Sequence, residues 1–401
     1  MAKDNNKKHV LYISHTSEMH GSGKSLLNIV SYIIKDEFNV TVIVPTDKGA
    51  LVDLLRKRQI PYIVLGVVIS VYPKFNTKKD FIRFPYRILK LIAKKVRFFV
   101  QLNSFVKKAK PDIIHTNVGV IHTAHSVAKK NKIPHVWHLR EYQDRNFGYK
   151  PFPSKRRLIR KLSHSNNYII ANTKGVYDHF LLSEKNAKVV YNGFIIDKIP
   201  SINIKKINYL LYVGAVTKQK GVEEAIKAFS QVSSQIPSTE LWIVGAGNKD
   251  YLHYLKSTFL CHENIKRIKF LGHRSDVYDF MHEAKALIVP SLHEGFGLIT
   301  VEAMLNGCLV IGNDTAGTKE QFDNGVRLFN QEIGIRYNTT QELGKYMIEV
   351  CNNDPIYYLS QLETAQKTVL KLYDVKKYVS EVKKVYSDLI NNTNSKQLDK
   401  Q

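Results

Sequence analysis

Cysteine is scarce in this chain. Three occur in 401 residues, Cys261, Cys308 and Cys351, and no C-x-x-C pair is present. Neither a disulfide framework nor a cysteine zinc site is indicated, which fits a reducing compartment. No grouping of His, Cys, Asp and Glu at metal-ligand spacing stands out either, so no metal and no cofactor are expected. Long apolar runs are missing too, and none reaches the ~20 residues that a membrane-crossing helix needs. The start, Met1-Ala-Lys-Asp-Asn-Asn-Lys-Lys-His9, is polar and leads straight into a strand pattern, so no signal peptide is read there. The expectation is a cytoplasmic protein, at most peripheral on the inner face of the cell membrane. Acidic residues are few in the first half. Residues 1–200 hold 36 Lys and Arg against 13 Asp and Glu, whereas residues 201–401 hold 24 against 22. The net charge of +25 therefore sits almost wholly in the first half. It is either a solvated basic surface or a face that meets lipid headgroups or nucleic acid. No aromatic RNA-binding signature and no DNA-binding module accompanies it, so no nucleic-acid partner is expected.

What is present is an α/β rhythm that runs twice. Short apolar strand patterns at 9–14, 40–44, 61–65, 111–115, 135–138, 168–171 and 188–191 alternate with helical stretches, of which Lys24–Ile34 and Leu51–Arg58 are two. The pattern restarts with strands at 209–213, 241–244, 268–271, 286–290 and 309–311 and a helix at Val222–Val232. Strands alternating with helices point to parallel sheets covered on both faces. Residues 200–208 are polar and lack periodicity, and are read as a linker. The expected domains are 1–200, 201–375 and a final segment 376–401. Apolar residues from Val375 to Leu389 recur there at helical spacing.

The chemistry concentrates in Ser291-Leu-His-Glu-Gly-Phe-Gly-Leu-Ile-Thr-Val-Glu302. Glu294 and Glu302 stand eight positions apart around two glycines. Leu298–Leu305 reads as a helix apolar nearly all round, hence buried, with Glu302 its only charge. A buried carboxylate without a partner is costly, so Glu302 needs one. Glycines ahead of a helix leave backbone N–H groups open to an anion. Upstream, Tyr212-Val-Gly-Ala-Val-Thr-Lys-Gln-Lys-Gly221 sets Lys218 and Lys220 in the loop after a strand. Such loops line the ligand crevice of an open sheet, where a lysine can neutralise a diphosphate; the other reading is surface lysines. Gly21-Ser-Gly-Lys-Ser25 resembles a P-loop, but the first glycine of that pattern would fall at Glu18. It remains a tight turn, or a turn that offers N–H groups to a phosphate. His138, in His-Leu-Arg-Glu after a strand, is either structural or near a reacting sugar, and His115 has a weaker case. Residues 85–110 carry Ile88, Leu91, Ile92, Val96, Phe99, Leu102 and Val106 on one side, with Lys90, Lys94, Arg97 and Lys108 on the other. That is a core-facing helix with a wet outer face, or a basic amphipathic helix on an anionic membrane.

Together, Val-Gly…Lys-Gly, Val-Gly-Ala-Gly, Leu-Gly-His and Pro-Ser…Glu-Gly-Phe-Gly, in this order and spacing, resemble the family-4 glycosyltransferases, retaining enzymes of the GT-B fold. The likeness covers most of the chain and is strongest from Val213 to Thr318. It implies two Rossmann-like doubly wound domains facing across a cleft, the first binding the acceptor and the second a nucleotide-sugar, with the last helix crossing back to the first domain. On that pattern Glu302 holds the donor ribose and Glu294 lies beside the transferred sugar. Gly295, Phe296, Gly297 and Leu298 serve sugar hydroxyls and phosphate, and Lys220 the diphosphate. His138 stands near the sugar, Gly21 and Gly23 belong to a flexible loop facing the phosphates, and Arg274 touches the base. The family's arginine after the Val-Gly glycine is replaced by Ala215, and Lys218 is the candidate substitute. The resemblance implies retaining transfer from a nucleotide-diphosphate sugar, UDP-sugar favoured, to a hydroxyl, without a metal. The acceptor would be a lipid-linked or polysaccharide intermediate of cell-surface glycan synthesis, reached at an anionic membrane through residues 74–110. Alternatives are a GT-B sugar-nucleotide epimerase and an ATPase or kinase built on Gly21–Ser25.

Overall fold

The computed structural model describes residues 7–34, 38–75, 77–259 and 266–398. Cys261 and the first six residues of the polar N-terminus lie outside them. The chain divides into two units, one made of the residues up to Ile195 together with those from Asp374 onward, the other of Ile196–Tyr373. The stretch 200–208 is not a free linker. It is anchored to the second unit: Gln366 donates to the Pro200 carbonyl at 2.9 Å, and the Lys206 ammonium donates to the carbonyls of His282 and Gly307 at 2.9 and 2.8 Å. The chain passes between units earlier, where the Val375 N–H donates to the Phe194 carbonyl at 2.8 Å and pins the outgoing and returning strands side by side.

The first unit holds strands β1 (Lys8–Ile13), β2 (Phe38–Val44), β3 (Tyr62–Val64), β4 (Ile113–Thr116), β5 (His135–Leu139), β6 (Asn167–Ala171) and β7 (Ala187–Val189). They form one sheet in the order β3-β2-β1-β4-β5-β6-β7. Every pairing is parallel. β1 and β4 read as unbroken apolar or buried runs because helices cover both faces. The first helix spans Gly21–Ile33 and so begins before the expected Lys24. Gly21 and Gly23 belong to its first turn, and the expected loop ahead of it ends at His20. Helix-breaking cost is small there, since first-turn N–H groups lack intrahelical partners in any case.

The last helix, Val375–Leu398, belongs to this first unit. Val375, Tyr378, Val379, Val382, Val385 and Tyr386 are buried against Val10, Tyr12, Leu26, Ile29, Val30 and Ile33. At its centre the Tyr386 hydroxyl meets the Tyr12 hydroxyl at 2.7 Å and His115 Nδ1 at 2.5 Å. The second unit holds β8 (Ile207–Val213), β9 (Glu240–Val244), β10 (Ile268–Gly272), β11 (Ala284–Val289), β12 (Leu309–Asn313) and β13 (Ile335–Tyr337) in the order β10-β9-β8-β11-β12-β13. All its pairings are parallel as well. β13 was not anticipated, because three residues after Gly334 carry too little apolar periodicity to register.

Beside β5 lies a buried histidine group. The Asn167 Oδ1 accepts from His125 Nδ1 at 3.0 Å and from His135 Nδ1 at 2.7 Å, while the Asn167 amide donates to the Lys161 carbonyl and so fixes its own orientation. His135 Nε2 then accepts from the Thr116 hydroxyl at 2.7 Å. Burial lowers His125 to about 4 and His135 to about 3, and burial with Lys161 and Lys95 nearby lowers His122 to about 3. All three are neutral in the folded chain at neutral pH, whereas the unfolded chain protonates near 6.5. Their pH dependence is therefore flat above about 6.5. As pH falls toward 4 the unfolded chain takes up protons first, and stability is lost by up to about 1.4 kcal/mol per pH unit for each histidine. Urea midpoints measured across that range are expected to drop steadily; a flat profile between about pH 6.5 and 5 contradicts neutral buried histidines.

Candidate active site

In the second sheet the first strand, β8, lies beside the fourth, β11. Connections leaving their carboxyl ends diverge to opposite sides, which opens a crevice at that point of an open parallel sheet. The two loops singled out in the sequence are the two that leave β8 and β11 there. After β8 the chain makes a short 3-10 turn, Lys218–Lys220, then enters the helix Val222–Val232 through Gly221. Gly221 has φ +72°, and a Cβ on it would stand 2.4 Å from the Pro290 carbonyl oxygen. Only glycine lets this loop press so closely on the end of β11. The Ser291 hydroxyl secures the approach by donating to the Lys220 carbonyl at 3.3 Å. As a result Lys220 Nζ reaches Glu294 Oε1 at 2.6 Å, with Glu294 mostly buried. Lys218 in the same turn is exposed. Ala215, where the resembling family has arginine, has its carbonyl held by the Tyr212 hydroxyl at 3.0 Å. Burial, reinforced by the Glu294 charge, pushes that hydroxyl's pKa up and keeps it a donor.

After β11 the segment Pro290–Gly297 leads into the helix Leu298–Leu305, as expected. Its N-cap is Gly297 at φ +81°, a left-handed conformation that carries no side-chain cap. Gly295, Phe296 and Gly297 are buried and Leu298 is partly exposed. Two residues further along hold this turn. Gln321 Nε2 donates to the carbonyls of Phe296 and Gly297 at 2.5 and 3.1 Å, and the Gly317 N–H donates to the Glu294 carbonyl at 3.0 Å. Gln321 Oε1 and Thr300 Oγ1 are buried, have no hydrogen-bond partner among the described residues, and both lie within 4 Å of where a Gly297 Cβ would stand. The turn is thus a polar cradle made of backbone and two side-chain oxygens.

Glu302 sits in the buried helix with 7% of its surface exposed. The partner that burial demands is Tyr278, whose hydroxyl donates to Glu302 Oε1 at 3.3 Å. Burial, with the Glu302 carboxylate beside it, pushes the Tyr278 pKa up and keeps the proton on the phenol. The rest of Tyr278 is half exposed. Arg274 lies four residues before it, exposed, in an ion pair with Asp276 at 2.5 Å and over the Phe280 ring at 5.4 Å. Tyr278, Gln321 and Gly317 carry no motif of their own, so only the fold reveals them.

The remaining candidates lie in the first unit. Gly21 is exposed and Gly23 buried, in a helix end that no side chain caps. His138 is fully buried. Its Nδ1 accepts from Arg140 at 3.3 Å, Arg140 also binds Asn117, Asn192 and Tyr378, and His138 Nε2 has no hydrogen-bond partner among the described residues. Burial, with Arg140 and His115 nearby, holds its pKa well below the usual value, so it is a neutral imidazole. His138, read as either structural or near a sugar, is a buried member of an arginine-centred network. Among the described residues no group of three or more His, Cys, Asp and Glu could hold a metal ion.

Gly221→Ala is expected to lower stability by about 1–3 kcal/mol, because alanine is strained at that φ and its Cβ meets Pro290. Thermal unfolding measures this, and an unchanged melting temperature contradicts the close approach.

Comparison with known proteins agrees with this geometry. The family model for glycosyl transferases group 1 matches residues 195–368, and that for glycosyltransferase family 4 matches residues 19–198. An uncharacterized glycosyltransferase of Methanocaldococcus jannaschii is 28% identical over 283 residues, covering 69% of this chain and 76% of its own. The Escherichia coli UDP-Gal:alpha-D-GlcNAc-diphosphoundecaprenol alpha-1,3-galactosyltransferase is 23% identical over 339 residues, covering 75% and 81%. The crystal structure of Anabaena HepE in complex with UDP and glucose superimposes with a TM-score of 0.72 at 21% identity, covering 94% of this chain and 99% of that one. The structural likeness agrees with a GT-B fold, and the two family models, which between them span residues 19–368, make this chain a member of the family-4 glycosyltransferases.

Proposed function

We propose that the protein is a retaining transferase that moves a sugar from a UDP-sugar to a hydroxyl of a lipid-linked or polysaccharide intermediate in cell-surface glycan synthesis. The observation that carries this reading is the meeting of Lys220 and Glu294 at 2.6 Å where strand order reverses, with Glu302 in the helix that follows. A cation, a glycine turn at a helix start and two separately placed carboxylates suit a diphosphate, a sugar and a ribose. The relatives support the choice of donor: one is named for UDP-Gal and a diphosphoundecaprenol-linked acceptor, and one is described with UDP and glucose.

In this reading Glu302 accepts from the ribose hydroxyls and is oriented by Tyr278. Arg274, steadied by Asp276, touches the base. Backbone groups of Gly295, Phe296, Gly297 and Leu298 bind sugar hydroxyls and phosphate. The bond from the anomeric carbon to the diphosphate oxygen breaks, and negative charge gathers on the leaving phosphate. Lys220, Lys218 and the positive end of the helix Leu298–Leu305 stabilise it, so the step assigns no role to a metal. The acceptor oxygen bonds to the anomeric carbon on the face the phosphate left, and its proton passes to the departing phosphate oxygen. Glu294 lies beside the sugar. Neutral His138 positions Arg140 and its neighbours. The basic first unit favours an acceptor held at an anionic membrane on the cytoplasmic side.

Isothermal titration with UDP, GDP and ADP, followed by a donor screen, is expected to favour UDP by about tenfold or more. Glu294→Gln is expected to lower turnover by about 100-fold with UDP affinity nearly kept. Glu294→Ala with near-normal transfer would overturn the assignment. Tyr278→Phe is expected to weaken UDP by about three- to tenfold, since removing one hydrogen bond to a charged group costs about 1 kcal/mol. Unchanged UDP affinity in that variant removes Tyr278 from the donor site.

A further inference from the structure

The long helix Phe84–Ala109 is apolar on two opposite sides. Phe98, Leu102 and Val106 are buried in the first unit's core, as a sheet-covering helix requires. On the far side Tyr86, Leu89, Val96 and Val100 are 64, 66, 57 and 59% exposed. Their spacing, with Ala93 between, keeps them on one line along the helix. The short helix just before it, Lys78–Ile82, adds Phe81 and Ile82 at 74 and 80% exposure. Ile92, which the sequence places on the same apolar side as Leu102 and Val106, is exposed as well. Large apolar side chains aligned in water are unlike the scattered singles of ordinary surfaces.

The charges beside this line are of one sign. Residues 81–110 contain nine Lys and Arg and no Asp or Glu. Arg83, Lys90, Lys94 and Arg97 are exposed along one flank of the apolar line. The nearest acid before them, Asp80, is engaged by Arg87 at 3.0 Å and by the Thr77 backbone. Two copies meeting on this face would bring the cationic flanks together, which opposes self-association. An apolar line with a cationic flank and aromatic residues at one end matches the interface of an anionic bilayer.

We propose that the apolar line Phe81–Val100 inserts into the headgroup region of an anionic membrane, with Arg83, Lys90, Lys94 and Arg97 on lipid phosphates. This deepens the membrane part of the proposed function, and rests on that reading only for the acceptor's being lipid-borne. The surface, not net charge alone, makes the attachment.

Sedimentation with phosphatidylcholine vesicles containing about a third phosphatidylglycerol tests it at near-physiological salt. The wild type is expected to bind these vesicles and not pure phosphatidylcholine. The pairs Leu89→Ser/Val96→Ser and Lys90→Ala/Lys94→Ala are each expected to bind about tenfold more weakly or worse. All four residues are exposed, so both pairs should fold, and their melting temperatures check this. Leu89→Trp is expected to show a blue-shifted emission with vesicles. Absent wild-type binding, equal binding to pure phosphatidylcholine, binding indifferent to the Leu89→Ser/Val96→Ser pair, or a dimer that this pair dissolves would each overturn the proposal. UDP affinity, measured on the same variants, separates the two readings. Vesicle binding lost with UDP affinity kept supports this surface. UDP binding absent with vesicle binding kept leaves this surface standing and defeats the donor assignment.

Discussion

The pairing of β8 with β11, first strand beside fourth, is the constraint on which the second unit's chemistry depends. Parallel strands carry their connections at opposite ends, so two strands that neighbour each other without being consecutive send their outgoing loops apart. The space left between those loops is where Lys220 and Glu294 meet. Gly221 allows the contact by letting the β8 loop lie against Pro290, and Gly297 turns the chain so that the next helix starts at the same place. Neither acid nor base would be placed without the sheet beneath them.

The first unit uses the same strand order but closes it differently. Its last helix comes from the far end of the chain and packs Tyr386 onto Tyr12 and His115. A hydroxyl held by two buried polar groups ties the terminal helix to the sheet more selectively than apolar packing alone, because a shifted helix would strand all three. Arg140 extends the same principle, binding Asn117, Asn192, His138 and Tyr378 at once. A charged group this deeply buried is tolerable because its donors are answered on several sides.

Much of the site was legible because its chemistry is local. The segment from Ser291 to Glu302 announces a strand, a turn, a buried helix and two acids within twelve residues. The helix Leu298–Leu305 and the burial of Glu302 follow from apolar residues on every face. What was not legible depends on distant chain. Tyr278 reaches Glu302, and Gln321 and Gly317 reach the turn before it, all from other helices, and nothing in their own neighbourhoods marks them. His138 stayed open between two readings for the same reason, since a histidine at a strand end looks alike whether it faces water or a buried arginine.

The sequence by itself determined the class of this protein: a twice-repeated α/β rhythm, a basic first half, and the order of the glycine and acid motifs. Those are properties of short windows and of composition, which folding cannot alter. Tertiary structure alone decided which residues touch: that Lys220 is held on Glu294, that Glu302 takes its partner from Tyr278, and that residues 196–206 belong with the second unit. It also decided that the helix Phe84–Ala109 has a second apolar side facing outward. Apolar periodicity shows that a helix has a greasy line, but only the sheet it packs on determines which line is covered and which is left to meet another surface.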